Sequence, residues 1–186
     1  FLTAEYALFD LARLSRGERV LIHAAAGGVG LAAVQIAQRL GAEVYATAGS
    51  SEKHQFLRAH GVKHVFSSRS LDFVAEIQAS TGGLGVNVAL NSLAGDYIPA
   101  TLSVLAAGGR FVEIGKTGIW NAEAVRAVRP DAGYHTLYLG EIFDRNPQRT
   151  EAMLQQLAES IEVGSLHPLP LKGFDLEDAA SAFRYM

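Results

Sequence analysis

A glycine-rich segment near the amino end of the chain has the composition of a phosphate-binding loop. It follows the apolar residues 20–22 and reads HAAAGGVG over residues 23–30. In the dinucleotide-binding pattern G-x-G-x-x-G, Ala25 takes the first position, and Gly27 and Gly30 take the second and third. The second glycine lets the backbone approach a pyrophosphate, the third allows helix and strand to pack closely, and the helix start offers free N–H groups. The predicted pyrophosphate contacts are Ala26, Gly27, Gly28, Val29 and Gly30, although a glycine-rich turn without a ligand is the alternative.

The end of the second predicted strand bears on which dinucleotide is bound. An NAD site usually has an acidic residue there, about 20 residues past the glycine motif, which accepts from the ribose 2′-OH. Here the strand runs into Gly49 and Ser50, and the first acid, Glu52, already lies in the next predicted helix. Two cations could bind a 2′-phosphate here: Lys53 in that helix, and Arg69 after the third predicted strand. We therefore expect NADPH rather than NADH, with Gly49, Ser50, Lys53 and Arg69 at its 2′-phosphate end; the alternative is that both cations are solvated surface charges.

The rest of the chain supplies the elements that must position these residues. Short apolar runs alternate with helical periodicity, as is typical of an α/β domain with a parallel sheet. Strands are predicted at residues 20–22, 43–48, 64–66, 86–90, 109–114 and 134–139. Helices are predicted at residues 3–14 with Thr3 as the cap, 29–40, 51–60, 71–80, 95–106 and 148–163 and from Asp175 onward, whereas residues 115–133 fit no element. The pattern predicts a Rossmann-type doubly wound parallel sheet with helices on both faces, in which ligands bind at the carboxyl ends of the strands.

Two later strands end in residues suited to the other half of a dinucleotide. Asn91 and Leu93 follow the fourth predicted strand, and Gly115 and Lys116 follow the fifth. Asn91 and the nearby backbone could hydrogen-bond the nicotinamide ribose or carboxamide. The alternative for Asn91 is to cap the helix predicted at residues 95–106, a role that asparagine often takes.

Composition and charge exclude several classes of protein. With 186 residues, 49% of them hydrophobic and 19% charged, the chain suits one folded domain and not a disordered one. A net charge of −3 implies no general attraction to nucleic acid or anionic lipid. The absence of cysteine excludes disulfides and cysteine-ligated metals, and the six histidines have no metal-ligand spacing, so we expect no metal. No apolar run reaches the roughly 20 residues of a membrane span, and we expect a cytoplasmic domain.

Four strings of residues together resemble the enoyl reductase domain of modular polyketide synthases and animal fatty acid synthase. They are residues 21–30 (LIHAAAGGVG), 87–93 (NVALNSL), 109–116 (GRFVEIGK) and 182–186 (AFRYM). This domain belongs to the zinc-free branch of the medium-chain dehydrogenase/reductase superfamily. It has a cofactor lobe and a substrate lobe. The resemblance covers nearly the whole chain and implies that residues 1–186 are a single NADP(H)-binding Rossmann domain, cut from a larger two-lobed reductase.

The resemblance also implies a reaction. In this family NADPH gives a hydride to the β-carbon of an enoyl thioester carried by an acyl carrier protein, and a proton is delivered to the α-carbon. Lys116 matches a lysine that is a candidate proton donor or enolate stabiliser, and the alternative is a lysine that only supports a loop or contacts cofactor. The aspartate that the family often pairs with this lysine is replaced by Tyr138 or Gly140, with Glu141 nearby. Tyr138 and Glu141 are therefore the other catalytic candidates, although a tyrosine in a strand more often serves packing.

Other readings of the same residues stay open. A stand-alone NADPH-dependent quinone or alkenal reductase of the same branch would share the glycine loop, but EIGK at residues 113–116 and the closing residues favour the synthase domain. A nucleotide-binding module without catalysis is the third possibility, because the aspartate position has changed. An edge strand at residues 134–139 could also extend the sheet across the axis of a homodimer.

Overall fold

A six-stranded parallel sheet forms the centre of the protein, for which the computed structural model describes residues 1–185. The strands are β1 (Arg19–Ile22), β2 (Glu43–Ala48), β3 (His64–Ser67), β4 (Val86–Asn91), β5 (Leu105–Glu113) and β6 (Gly133–Thr136). Their order across the sheet is β3-β2-β1-β4-β5-β6, so the direction of winding reverses between β1 and β4. This is the order of a doubly wound dinucleotide-binding fold, and it confirms the predicted Rossmann-type architecture.

Helices connect the strands and cover both faces of the sheet. Helix α1 (Leu2–Glu5) continues as a π-helical stretch, Tyr6–Leu11, before the first strand. The later helices are α2 (Gly28–Leu40), α3 (Ser51–Ala59), α4 (Phe73–Ser80), α5 (Tyr97–Ser103), α6 (Ala122–Val128), α7 (Leu139–Arg145), α8 (Pro147–Glu162) and α9 (Ala179–Tyr185), the last after a 3₁₀ turn at Leu176–Asp178. Within the described residues, no helix combines the length and the apolar character that crossing a membrane requires.

Alternating side chains of the strands separate two hydrophobic cores. Val20 and Ile22 of β1 pack in a cluster with buried residues of α1, α2 and α3, whereas Leu21 belongs to the cluster that includes α4, α5 and α6. This separation follows because successive side chains of a strand point to opposite faces of the sheet. Ala33 and Ile36 of α2 are fully buried in the first cluster. The uninterrupted apolar run of β1 is therefore explained by burial on both faces.

The prediction that residues 115–133 contain no regular element is wrong. Helix α6 lies within this segment and is capped by Asn121, whose side-chain oxygen accepts from the backbone N–H of Ala124 at 2.8 Å. The helix has 7 residues, of which Val125 alone is buried. Two turns with one buried side chain give too short a hydrophobic period to be read from sequence.

The boundary between α5 and β5 also differs from the prediction of a helix at 95–106 and a strand from 109. Helix α5 ends at Ser103, and β5 begins at Leu105, which pairs with Val86 of β4. The ladder then shifts register, and Arg110 pairs with Val88. The apolar residues at 104–106 suit either a helix or a strand, so only pairing with β4 decides between them.

Two terminal elements depart from their predicted limits. Strand β6 ends at Thr136 instead of residue 139, and α7, which was not predicted, begins at Leu139. Strand β6 does lie at an edge of the sheet. At the amino end, Thr3 lies inside α1 and does not cap it, since the cap position is Phe1, whose side chain makes no capping hydrogen bond.

Replacing Gly30 with alanine should destabilise the fold strongly. A Cβ at Gly30 would lie 2.5 Å from the carbonyl oxygen of Ala24 and 2.6 Å from the Cα of Ala25, both backbone atoms that have no room to move. We expect Gly30→Ala to lower the free energy of unfolding by about 3 kcal/mol or more. Gly140→Ala is the matched control, because a Cβ there meets nothing within 4 Å and alanine favours helix α7. Urea unfolding measures both, and equal stability of the two variants would contradict the close approach.

Candidate functional site

The glycine-rich loop is held between β2 and β4, the two strands that flank β1. After β1, the backbone N–H of His23 donates to the carbonyl of Leu90 at 3.1 Å, and that of Ala25 donates to the carbonyl of Thr47 at 2.9 Å. Helix α2 then begins at Gly28 after the cap residue Gly27, which has no side chain to cap its first N–H groups. Gly27 and Gly28 are exposed. The start of α2 therefore presents uncapped N–H groups and the positive end of the helix dipole to a ligand at the winding reversal.

The alanine in the first position of the motif is compatible with the turn. Ala25 is fully buried, and among the described non-glycine residues only Arg13 and Ala24 have positive φ. The left-handed conformation falls on Ala24, whose φ is +48°, and Ala24 accepts from the N–H of Gly27 at 2.9 Å. The third motif glycine, Gly30, provides the close packing of helix on strand that its position in the pattern predicts.

The ends of β2 and β3 bring Gly49 and Arg69 into contact. The Nε atom of Arg69 lies 3.4 Å from the carbonyl oxygen of Gly49. A Cβ built at Gly49 would lie 3.0 Å from the same nitrogen, so any larger residue there would displace the guanidinium. Arg69 is exposed and its backbone N–H is held by the hydroxyl of Ser67 at 3.0 Å. A cation thus occupies the place where an NAD site usually has a carboxylate.

Ser50 and Lys53 lie beside this arginine at the start of α3. The hydroxyl of Ser50 caps the helix by accepting from the backbone N–H of Lys53 at 3.3 Å. The side chain of Lys53 is exposed on the first turn. Because β2 and β3 are adjacent and parallel, their carboxyl ends place these residues and Arg69 at the same edge of the sheet.

A buried histidine connects the glycine loop with the neighbouring elements. His23 is 3% exposed, and its Nδ1 and Nε2 atoms lie 2.9 Å from the hydroxyl of Thr47 and 2.8 Å from the hydroxyl of Thr101. The loss of hydration on burial lowers the pKa of His23 to about 3. The imidazole is therefore neutral at physiological pH and acts as both donor and acceptor between the two threonines.

In folds of this type a cleft opens at the winding reversal, here between the loops after β1 and β4. A second buried polar group lies on its β4 side. The Nδ2 atom of Asn91 donates to Glu113 and to the carbonyl of Leu93, each at 2.7 Å, while the N–H of Gly115 donates to the other oxygen of Glu113 at 2.7 Å. Burial raises the pKa of Glu113, and the hydrogen bonds from Asn91 and Gly115 oppose that shift. Asn91 does not cap the next helix, whose cap position is Asp96. The capping alternative is wrong, because Asn91 instead joins the ends of β4 and β5.

The three catalytic candidates lie after β5 and β6. Lys116 is exposed in the loop held by Glu113. Tyr138 was expected in a strand but instead precedes α7 and is 39% exposed, so packing within the sheet does not account for it. Glu141 lies in the first turn of α7 and forms an exposed ion pair with Arg145 at 3.2 Å.

The phosphate loop and the two cations lie at the carboxyl edge of the sheet, as the sequence predicts, but the buried polar groups were not predicted. Glu113 entered the sequence analysis only as part of the string EIGK, and the structure shows that it holds the loop that contains Lys116. His23 was considered only as a metal ligand and excluded, although it bonds Thr47 and Thr101, which are 24 and 78 residues away. A histidine directly after a buried apolar strand was the available signal, but its partners depend on the strand order.

Fold and site together define a dinucleotide-binding domain of the dehydrogenase type. The chain belongs to the zinc-binding dehydrogenase family, whose model matches residues 28–159, and within it to the enoyl reductase domains of polyketide synthases. It is 48% identical over its whole length to the pikromycin polyketide synthase component PikAII of Streptomyces venezuelae, of which it spans 5%.

Two solved structures show how the chain relates to a complete reductase. The CurK enoyl reductase is 52% identical with a TM-score of 0.94, and the match covers 99% of this chain and 55% of that one. The nucleotide-binding subdomain of the enoylreductase domain of PpsC from Mycobacterium tuberculosis is 43% identical with a TM-score of 0.82, and the match covers 91% of this chain and 96% of that one. These relationships imply a nicotinamide cofactor.

The zinc in the family's description has no counterpart in the part of the chain that the structure describes. Among residues 1–185, no three His, Cys, Asp or Glu side chains gather in a group that could hold a metal ion. These residues do not fit zinc, and we derive no chemistry through it.

The buried neutral histidine should make stability depend on pH. Because the pKa of His23 is lowered to about 3 in the folded state, the unfolded chain binds one more proton below its ordinary pKa near 6.5. Stability is therefore lost as pH falls from 7 towards 3, by about 2 kcal/mol between pH 7 and pH 5. We expect His23→Gln to reduce this loss in urea unfolding, with His60→Gln, at an exposed histidine, as the control for removing one imidazole. An unchanged pH slope in His23→Gln would contradict the assignment.

Proposed function

We propose that the chain binds NADPH as the cofactor lobe of a polyketide synthase enoyl reductase. The observation that carries the choice of cofactor is the contact of Arg69 with Gly49, where a carboxylate would accept from the ribose of NADH. A guanidinium offers a planar set of donors that matches a phosphate, and a carboxylate at this place would repel one. Lys53, on the first turn of the adjacent helix, adds a second positive charge.

Each part of the cofactor has residues suited to it. Gly27 and Gly28 at the start of α2 suit the pyrophosphate, because their N–H groups are uncapped and no Cβ stands in front of them. Asn91, Leu93 and Gly115, at the ends of β4 and β5, suit the nicotinamide half. NADPH supplies the hydride when bound, and these residues orient its ring at the carboxyl edge of the sheet.

The substrate proposed for the complete reductase is an α,β-unsaturated thioester on an acyl carrier protein. This rests on the identity of 48% and 52% with polyketide synthase proteins, of which the chain spans only a part. The remaining lobe would supply most of the acyl pocket. The same relatives favour the synthase domain over a stand-alone quinone or alkenal reductase. If the catalytic residues have been lost, the domain would bind the nucleotide without turning over a substrate.

Lys116 is the proposed group for the enolate oxygen or the α-carbon proton. It follows β5, and its loop is fixed by the bond from Gly115 to Glu113. Tyr138 lies two residues after Thr136 of β6, which is paired with Glu113 of β5. Glu141 is the weakest candidate, since its carboxylate already pairs with Arg145. A homodimer through the edge of β6 stays a prediction.

Cofactor preference tests the proposal. We expect this chain to bind NADPH more tightly than NADH, and Arg69→Ala to weaken NADPH binding about tenfold or more while leaving NADH binding unchanged. Lys53→Ala should produce a smaller effect in the same direction, because lysine is a mobile point charge. Lys63→Ala is the control, because Lys63 is exposed and precedes β3, at the amino ends of the strands and away from the proposed site. Titration of nicotinamide fluorescence gives the dissociation constants, and equal affinity for both cofactors would contradict the 2′-phosphate site.

Turnover separates the catalytic candidates. In the reductase that combines this chain with its substrate lobe, we expect Lys116→Met to lower kcat with a crotonyl thioester about 100-fold while NADPH affinity stays unchanged. Tyr138→Phe should lower kcat if the phenol delivers the proton, and Lys63→Met is again the control. An unaltered kcat in Lys116→Met would contradict a catalytic role for this lysine and would leave it only a role in supporting the loop.

A further inference from the structure

A continuous chain of hydrogen bonds runs beneath the cofactor cleft from the glycine loop to α5. The backbone N–H of Ala24 approaches the hydroxyl of Thr47 at 3.4 Å, and this hydroxyl contacts His23 at 2.9 Å. His23 contacts Thr101 at 2.8 Å, and the hydroxyl of Thr101 donates to the carbonyl of Tyr97 at 2.6 Å. The chain therefore links the phosphate loop to the first turn of α5.

The chemistry of these groups assigns a direction to every bond. Because Thr101 donates its only hydroxyl proton to the carbonyl of Tyr97, it must accept from Nε2–H of His23. Nδ1 of the neutral ring then accepts from the hydroxyl of Thr47, which in turn accepts from the N–H of Ala24. Each member is satisfied in one arrangement only, so the network specifies the position of α5 relative to the loop.

Tyr97 extends this network to the residues that follow β3. Its hydroxyl donates to the carbonyl of Ser68, just beyond β3, at 2.9 Å. Its ring lies nearly parallel to that of Phe73, with centroids 6.3 Å apart, and Phe73 also packs edge-on against His23 at 5.2 Å. Thr101 therefore bonds the backbone of Tyr97, and Phe73 packs against its ring.

The carbonyl that Tyr97 contacts belongs to Ser68, the residue directly before Arg69. Ser68 donates its own N–H to the carbonyl of Ala48 at 2.9 Å, so its N–H and its carbonyl are both bonded to other elements. The exposed side chain of Arg69, in contrast, has one long contact to Gly49 at 3.4 Å. A long and exposed side chain with so little support depends on its backbone for its position, because side-chain entropy opposes holding it.

We propose that Tyr97 is a positioning residue for the 2′-phosphate site: its hydroxyl fixes the Ser68 peptide, and thereby Arg69, relative to the glycine-rich loop. This proposal rests on the proposed NADPH function and deepens it. The distance between the pyrophosphate and the 2′-phosphate of NADPH is fixed by the cofactor, so a site that recognises both needs its two anchors at a set separation. The network connects those two anchors through the protein interior.

Removing the Tyr97 hydroxyl tests the proposal with little risk to folding. Tyr97→Phe keeps the ring beside Phe73 and deletes only the donor to Ser68. We expect a loss of NADPH affinity of about three- to tenfold, with NADH affinity unchanged, so that the ratio of the two dissociation constants shifts. Tyr134→Phe is the matched control, since the Tyr134 hydroxyl also donates to a loop carbonyl, that of Trp120 at 2.6 Å, near the opposite edge of the sheet. It should leave the ratio at its wild-type value, and thermal unfolding of both variants measures any general loss of stability.

A second pair of variants tests the network one step further back. Thr101→Val should shift the cofactor ratio in the same direction as Tyr97→Phe, and Thr101→Ser, which restores a hydroxyl, should return it towards the wild-type value. A wild-type ratio in Tyr97→Phe, together with loss of NADPH preference in Arg69→Ala, would overturn the positioning role and leave the NADPH site intact. Absence of NADPH preference in the unmodified chain would instead overturn the proposed function, and this proposal with it.

Discussion

The close approach of α2 to the end of β1 is the constraint on which the rest of the structure depends. At Gly30 the helix lies so near the turn that a single added carbon would meet backbone atoms of Ala24 and Ala25. This contact fixes the angle at which α2 leaves the sheet and therefore where its first N–H groups point. The loop is bonded to β2 on one side and β4 on the other, so its position also sets the geometry of the cleft at the winding reversal.

The two sides of that cleft are built on buried polar groups whose bonding is complete. Within residues 1–185, every buried side-chain nitrogen and oxygen has a hydrogen-bond partner. His23 bonds Thr47 at the end of β2, and Asn91 with Glu113 joins the ends of β4 and β5. In an apolar interior such groups are costly if one partner is removed, so each allows only one arrangement of the strand ends that it joins. Of the exposed residues proposed to meet the ligand, Lys116 extends from the loop that Glu113 holds, and Arg69 follows the Ser68 peptide that Tyr97 holds.

The sequence was most informative where the pattern is local. Strand β2 lies at the predicted residues, and α2 begins one residue before its predicted start, because burial imposes a periodicity on consecutive residues. The placement of Arg69 and Lys53 followed from strand order, since carboxyl ends of adjacent parallel strands meet at one edge. Helices α6 and α7 escaped prediction because a few residues with little burial carry almost no pattern. The pairing of His23 with Thr101 could not be predicted for a different reason: it depends on which helix the fold brings over β1.

A crystal structure of the chain with bound NADPH would test the central claim most directly. We expect the pyrophosphate to lie against the N–H groups at the start of α2, and the 2′-phosphate to lie within about 3.5 Å of the guanidinium of Arg69. We also expect the Ser68 carbonyl to keep its hydrogen bond from Tyr97 in that complex. A 2′-phosphate that points into solvent without contacting Arg69, or a dinucleotide bound away from the glycine-rich loop, would contradict the account.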